Sequence, residues 1–406
     1  MIYQNPYFKL LKEDCLFETI SSKKLAYEKI HPHEKVISLG MGDTSYPIPK
    51  AIAQGMADCA MSFASPKGYQ GYGSYKGLLT LREKINQKLL HQHLSAKEIF
   101  ISDGVKCDIG RLQMLFGSKV RIGVFDPTYP VYVSTSVLIG QAGPINPKQQ
   151  YENITYLPCL EDQYFFTQLE HLEANFDVLY LCNPNNPIGI AYNRTQLKKL
   201  VDFAKEHQIV IVYDGAYASY IRDASIPSTI YEIEGAKEGA IELGSFSKMA
   251  GFSGLRLGWT CIPTTLLFQN GNSILEAFEQ LYASFCNGTS LIIQHGGLVA
   301  LEQDNLSRLR TIQDTYLYQT QLLKQTFEEK DYTVYGGKHA PYLWVKCHNS
   351  SWESFESLLH QCQIISIPGS GFGLAGEGFI RISGFGSLEI IEEAVLRLHK
   401  LENSNL

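Results

Sequence analysis

Ser245-Phe246-Ser247-Lys248-Met249-Ala250-Gly251-Phe252-Ser253-Gly254-Leu255-Arg256-Leu257-Gly258-Trp259 is the stretch from which the rest of the chain is read. One lysine stands behind two hydroxyls and ahead of an arginine, with glycines between. An apolar run, Ala240-Ile241-Glu242-Leu243-Gly244, precedes it and predicts a strand. A lysine among small residues at a strand end fits Schiff-base chemistry. The amine is held against an aldehyde while hydroxyls and a guanidinium hold a phosphate beside it. For Lys248 alone, a surface lysine in a Gly/Ser loop is the plain reading. The arginine, both serines and the upstream motifs together argue against it.

The chain has 406 residues, room for two or three domains or one large α/β domain with a smaller partner. Hydrophobic residues make up 45% and charged residues 19%, the balance of a globular protein. A formal net charge of −6 carries no nucleic-acid footprint. No apolar run is long enough to cross a membrane, and Met1-Ile2-Tyr3-Gln4-Asn5-Pro6 lacks the regions of a secretory signal. Nine cysteines are scattered without a Cys-x-x-Cys pair. They read as reduced thiols in cytoplasm, and no metal site is expected.

Short apolar runs recur with helical patterns between several of them. Ile99–Ser102, Arg121–Phe125, Val178–Cys182, Ile209–Tyr213 and Ala240–Leu243 read as strands buried on both faces. The expected fold is α/β, a mainly parallel sheet covered by helices. Asp103-Gly104-Val105-Lys106, Tyr129, Asn186, Asp214 and Lys248 each fall just past a strand's carboxyl end, the edge where such sheets hold ligands. After about Gly296 comes a long polar helical pattern and then short strands, which read as a smaller α+β domain. The expected division is an arm with a small-domain segment at 1–45, a large domain at 46–295 and a small domain at 296–406.

Each candidate has a plain reading beside the chemical one. Asp214 could pair with a protonated pyridine nitrogen or cap the next helix. Tyr217, three residues on, could reach the same site. Asn183-Pro184-Asn185-Asn186-Pro187-Ile188-Gly189 is a turn, or a rigid loop that presents the Asn186 amide. Asp126-Pro127-Thr128-Tyr129-Pro130 is a turn, or an aromatic lid for a cofactor ring. Gly104-Val105-Lys106 opens a helix whose N–H groups can bind phosphate. Arg381, inside the apolar Phe379-Ile380-Arg381-Ile382-Ser383, needs a buried partner, either a substrate carboxylate or a structural ion pair.

These pieces, in this order, resemble the fold-type I pyridoxal-phosphate aminotransferases, and within them the LL-diaminopimelate aminotransferases. The resemblance spans nearly the whole chain. It is carried by Gly42-Asp43-Thr44, Gly71-Tyr72-Gly73, Ile101 to Ile109, Asp126 to Pro130, Asn185-Asn186-Pro187, Ser245 to Lys248, Phe285 to Gly288 and Gly336 to Lys346. It implies pyridoxal 5'-phosphate as cofactor, with Lys248 bonded to it and moving the substrate proton. By the same resemblance Asp214 holds the pyridinium, Tyr217 and Asn186 contact the phenolic oxygen, and Tyr129 stacks on the ring. Ser245, Ser247, Arg256, Val105 and Lys106 hold the phosphate, and Arg381 clamps the α-carboxylate. Lys106, Asn186, Asn287, Gly42, Tyr75 and Cys15 are implied as substrate contacts, with Asn287 crossing from a second subunit of a homodimer.

The chain departs from that family at its substrate end. Tyr75 stands where the family carries an acidic residue, Cys15 where it carries tyrosine, and Tyr46 where it carries Gln or Glu. Losing the carboxylate weakens recognition of a distal ammonium. The expected activity is transfer of an amino group to 2-oxoglutarate in two half-reactions, with LL-diaminopimelate the leading donor. The alternatives are the same scaffold retuned for a neutral or aromatic amino acid, a β-lyase on the same cofactor, and a non-catalytic binder.

Overall fold

The computed structural model describes residues 2–11, 16–401 and 406. Thirteen strands are present among them: β1 (Ile37–Ser38), β2 (Ile99–Ser102), β3 (Ile122–Asp126), β4 (Ile154–Pro158), β5 (Val178–Cys182), β6 (Val210–Asp214), β7 (Ala240–Ser245), β8 (Gly258–Cys261), β9 (Val334–Gly336), β10 (Tyr342–Lys346), β11 (Ile364–Ile365), β12 (Ile367–Pro368) and β13 (Phe379–Ser383). Seven of them form one sheet in the order β2-β8-β7-β6-β5-β3-β4. The pairs from β4 through β7 are parallel, and β8 alone runs against its neighbours on both sides. The mainly parallel α/β sheet is therefore as expected. The hydrophobic pattern does not reveal β4 or the reversed β8.

Residues of β2, β3, β5 and β7 are buried without a break, so these strands read as apolar runs rather than alternating ones. The two-residue period still sorts their side chains. Leu179, Leu181, Ile211 and Tyr213 enter one core, while Val178, Tyr180, Val212 and Ile241 enter the core on the other face. Asp214 has the parity of Val212. It lies on the face covered by the helix Val131–Ile139, whose second residue is Tyr132.

A second, antiparallel sheet has the order β12-β13-β10-β9, and β1 pairs in parallel with β11 beside it. Its own core gathers Ile37, Leu39, Leu343, Leu358, Ile380 and Leu398. The 26-residue helix Gln303–Glu328 leads into it.

The two sheets meet at a point of backbone contact. A Cβ on Gly189 would fall 2.2 Å from the Tyr342 carbonyl oxygen, and one on Gly336 would fall 2.1 Å from the Ile188 carbonyl oxygen. Both glycines have positive φ, +79° and +80°. The Asn183–Gly189 loop is thus seated directly on β9 and β10, and its Asn186 side chain reaches Arg381 of β13. A second tie uses Asp126, whose carboxylate accepts from the Ala375 N–H at 3.1 Å, while the Thr128 N–H donates to the Phe372 carbonyl at 2.8 Å. Burial raises the Asp126 carboxyl to about 6.

Gly189→Ala combines a left-handed backbone with a collision against main chain that cannot step aside. It should lower unfolding stability by roughly 1–3 kcal/mol, read by denaturant titration. Wild-type stability in that variant would remove the contact from this account.

Candidate active site

Lys248 sits in the short helix Phe246–Ala250, entered through Ser245, whose hydroxyl accepts the Ser247 N–H at 3.0 Å, and ended by Gly251 at φ +75°. Its Nζ donates to the Gly42 carbonyl and lies 3.4 Å from the Ser253 hydroxyl and 3.8 Å from an Asp43 carboxylate oxygen. Burial lowers its pKa to about 8; Asp43 pulls the other way, and the nearby Arg381 and Arg256 charges add to the lowering.

The sheet edge assembles the rest. Lys248, Asp214, Tyr217, Tyr129, Asn186, Val105, Lys106, Ser245, Ser247, Arg256, Arg381 and Gly42 all line one cavity of about 500 Å³, so most sequence candidates converge. Arg256 reaches this edge because β8 is reversed: Gly258 pairs with both Ser102 and Ser245, so the chain entering β8 arrives at the carboxyl ends.

Asp214 is 4% exposed and accepts two hydrogen bonds, from the Tyr132 hydroxyl at 2.8 Å and the Ala216 N–H at 3.0 Å. Burial raises its pKa against those two bonds. It shapes the turn through Ala216 rather than capping the next helix, whose N-cap is Tyr217, and it faces the cavity. Tyr132 is held in turn by stacking on Tyr180, with centroids 5.0 Å apart.

Arg381 is 3% exposed. Its Nη1 donates to the Asn186 side-chain oxygen at 2.6 Å and its Nη2 to the Gly40 carbonyl at 2.7 Å. The rings of Tyr342 and Phe372 lie 4.6 and 4.8 Å from its guanidinium carbon. Its Nε is buried without a partner. No carboxylate of the described residues pairs with it, so the structural ion pair weighed above is not what holds this arginine. The Tyr217 hydroxyl shares a hydrogen bond of 2.7 Å with that of Tyr342.

At the other end, Gly104 with φ +120° precedes the helix Val105–Phe116. A Cβ on Gly104 would lie 2.3 Å from Arg256 Nη2, so the glycine lets the guanidinium close over the helix start. The Val105 and Lys106 N–H groups occupy the first turn, where helical geometry gives them no partner. Arg256 is itself at φ +65°, with Nη1 donating to the Ser253 carbonyl at 2.9 Å and reaching the Ser247 hydroxyl at 3.4 Å. Two hydroxyls, a guanidinium and a helix N-terminus make an anion cradle, and a buried acid lies across the cavity. That donor set fits a phosphate-bearing pyridine cofactor.

Three sequence candidates lie elsewhere, and a fourth cannot be placed. Tyr75 donates to Glu279 at 2.7 Å, outside the cavity. Asn287 is exposed and also outside it. Tyr46 packs on Tyr316, centroids 5.1 Å apart, and not on the cavity. Cys15 lies outside the described residues, although Phe17 beside it lines the wall. Asp103, singled out for its strand-end position, turns away to pair with Arg111 at 2.7 Å. Sequence reasoning missed Tyr132, Tyr342, Asp43 and Ser253. Only Tyr132 had a local signal, its place three residues after Tyr129 at a helix start.

A sheet of this topology with a half-buried lysine, an acid and an anion cradle at its carboxyl edge is the arrangement an aminotransferase uses. The model of the family described as aminotransferase class I and II matches residues 34–398. An LL-diaminopimelate aminotransferase of Protochlamydia amoebophila is 47% identical, over 98% of this chain and 97% of its own length. The chloroplastic LL-diaminopimelate aminotransferase of Arabidopsis thaliana is 43% identical, over 98% and 87%. The solved structure of the Chlamydomonas reinhardtii enzyme of that name superposes with a TM-score of 0.94 at 45% identity, covering 98% of each chain. The chain belongs to the class I and II aminotransferases, and within them to the family of LL-diaminopimelate aminotransferases.

Tyr132→Phe leaves the buried Asp214 carboxyl with one donor in place of two. The expected loss is about 1–3 kcal/mol of unfolding stability, measured without added cofactor. An unchanged midpoint and slope would mean that this hydrogen bond contributes nothing net.

Proposed function

We propose that the protein transfers the α-amino group of LL-diaminopimelate to 2-oxoglutarate by two half-reactions in one site, with pyridoxal 5'-phosphate as cofactor. The observation that carries this reading is Lys248 in a cavity bounded by an anion cradle at one end and a buried, part-unpaired arginine at the other. Membership of a pyridoxal-phosphate-dependent family supports the cofactor, and the printed names of relatives at 43–47% identity support the donor.

The bound cofactor supplies an electron sink for the negative charge left when the amino acid's Cα loses its proton. Ser245, Ser247, Arg256 and the N–H groups of Val105 and Lys106 would hold its phosphate. Asp214, steadied by Tyr132, would keep its ring nitrogen protonated. Tyr217 and Asn186 would donate to its phenolic oxygen, and Tyr129 would cover the ring. Arg381 would orient the substrate by its α-carboxylate, for which the free Nε–H is an available donor. Lys248 would take the proton from Cα and return it. An amine with a pKa near 8 is neutral in a useful fraction at neutral pH, whereas an ordinary lysine is almost wholly protonated.

The large region at 46–295 would then carry the cofactor and the region from 296 would carry the clamp. We place the protein in the cytoplasm as a homodimer with shared sites. Two observations support sharing. Tyr75 and Asn287 lie off the cavity on one patch, where a Cβ on Gly288 would fall 2.9 Å from the Ser74 carbonyl oxygen. Beside them Tyr72 is 90% and Phe285 64% exposed, apolar surface that a second subunit would cover. No described helix is long and apolar enough to cross a membrane.

A second reading keeps the reaction and changes the donor to a neutral or aromatic amino acid. Tyr75 favours it. This side chain brings no charge to its position, and the carboxylate it touches, Glu279, is already paired with Lys76 at 2.7 Å.

Purified protein with cofactor and 2-oxoglutarate, given a panel of amino donors, tests both readings by glutamate formation. The first expects turnover with LL-diaminopimelate exceeding that with neutral amino acids, and the second expects the reverse order. Lys248→Ala should fall to the background rate, and a variant as active as wild type would sink both. Arg381→Ala should raise donor KM by about 10-fold or more while the cofactor is retained, as loss of a charged hydrogen-bond pair predicts.

A further inference from the structure

The segment that follows β1 is threaded into the cavity with unusual commitment. The Leu39 carbonyl accepts from the Ser383 N–H at 2.7 Å and the Gly40 carbonyl from Arg381, so the middle and the carboxyl end of the clamp strand hold it. Gly42 then passes so close to Tyr342 that a Cβ would lie 2.0 Å from the hydroxyl. Only a glycine lets the main chain bring its carbonyl onto the Lys248 amine at this depth. The next residue is Asp43. Its Oδ1 accepts the Thr44 N–H at 2.9 Å, which fixes the rotamer, and the same oxygen faces Lys248 Nζ at 3.8 Å.

We propose that Asp43 is a positioning residue for Lys248: with the Gly42 carbonyl it receives the lysine amine whenever that amine is free and holds it there as an ammonium ion. The inference rests on Lys248 being the reactive amine and is independent of which donor is used. The surroundings leave Asp43 as the source of attraction. Arg381 from β13 and Arg256 from the turn before β8 repel an ammonium, and Lys106, on the same cavity wall, adds no attraction. Asp214 is engaged by Tyr132 and Ala216, and the Tyr217 and Tyr342 hydroxyls by each other. The Ser253 hydroxyl at 3.4 Å and the Phe385 ring at 5.6 Å are uncharged. Asp43 is 61% exposed on its side chain, so solvent and salt weaken the pair.

A carboxylate beside an ammonium favours the charged form, so removing its charge must move the amine's titration to lower pH. Asp43→Asn does this while keeping the oxygen that accepts the Thr44 N–H, which separates charge from turn structure. Full-length protein prepared without cofactor is labelled at lysine across a pH series, and modification of Lys248 is followed by mass spectrometry. The midpoint should fall by about 0.5–1 pH unit at low salt, the low end of the range for neighbouring opposite charges because Asp43 is exposed. The shift should shrink in 1 M salt, where the screening length is about 3 Å, and Asp43→Glu should restore most of it. In the cofactor-loaded enzyme the acidic limb of kcat should move down with the midpoint, at unchanged donor KM. An unmoved midpoint at low salt overturns the proposal. So does a KM change without a midpoint shift, which would make Asp43 a substrate contact. Asp43→Ser gives the same readout if the amide variant misfolds. The labelling needs no turnover, so its result stands apart from the donor panel and from the loss of activity in Lys248→Ala.

Discussion

An amine that must react at neutral pH cannot remain a fully solvated ammonium, and one that shares a cavity with two guanidiniums cannot be left without a counter-charge. That conflict around Lys248 orders the rest of the molecule. Burial and the two arginines push the amine toward neutrality, and a single exposed carboxylate restrains them. Both arginines line the cavity, and in the proposed function they would hold the two ends of a ligand, so they cannot simply be moved away. What remains adjustable is depth, and depth is set by the sheet. Strands whose carboxyl ends are level bring Asp214, Ser245 and the Asn186 loop to one edge, and the reversed β8 returns Arg256 to the same edge.

The site is also a joint. Its walls come from a seven-stranded sheet and from a smaller antiparallel one, each with its own apolar core. Main chain touches main chain at Gly189 and Gly336. Backbone contacts of this kind carry little of the chemistry themselves. They fix the separation between Asn186 and Arg381 more tightly than side-chain packing could, because nothing in the contact has a rotamer to change.

Much of this was legible in the chain. Strand-end residues identify themselves because a doubly covered strand is an apolar run with a sharp polar stop, as at Asp214 and Asn183. Lys248, Arg256 and their serines are close in sequence, so their spacing survives folding. Other parts depend on topology and leave no local mark. The reversal of β8 has no signature in hydrophobicity. Tyr342 meets Tyr217 across 125 residues, and Asp43 meets Lys248 across 205. Asp103 had the right position and the wrong direction, because Arg111 two turns along its helix attracts it first. Tyr75 and Asn287 show the remaining gap, since a single chain turns both away from its own cavity.

The hydrogen bond from Arg381 to Asn186 fixes which way round that amide stands. Its oxygen is taken by the guanidinium, so its two N–H bonds face the other way. In the roles proposed above, one planar group would lie between the place for a substrate's carboxylate and the place for the cofactor's phenolic oxygen. An amide conducts: withdrawing electron density at its oxygen makes its N–H bonds better donors. Arrival of an anion on Arg381 loosens the guanidinium's grip on that oxygen and so weakens what the amide gives at its far end. The colour of the bound cofactor would then register whether the carboxylate seat is filled, before any bond to nitrogen has changed.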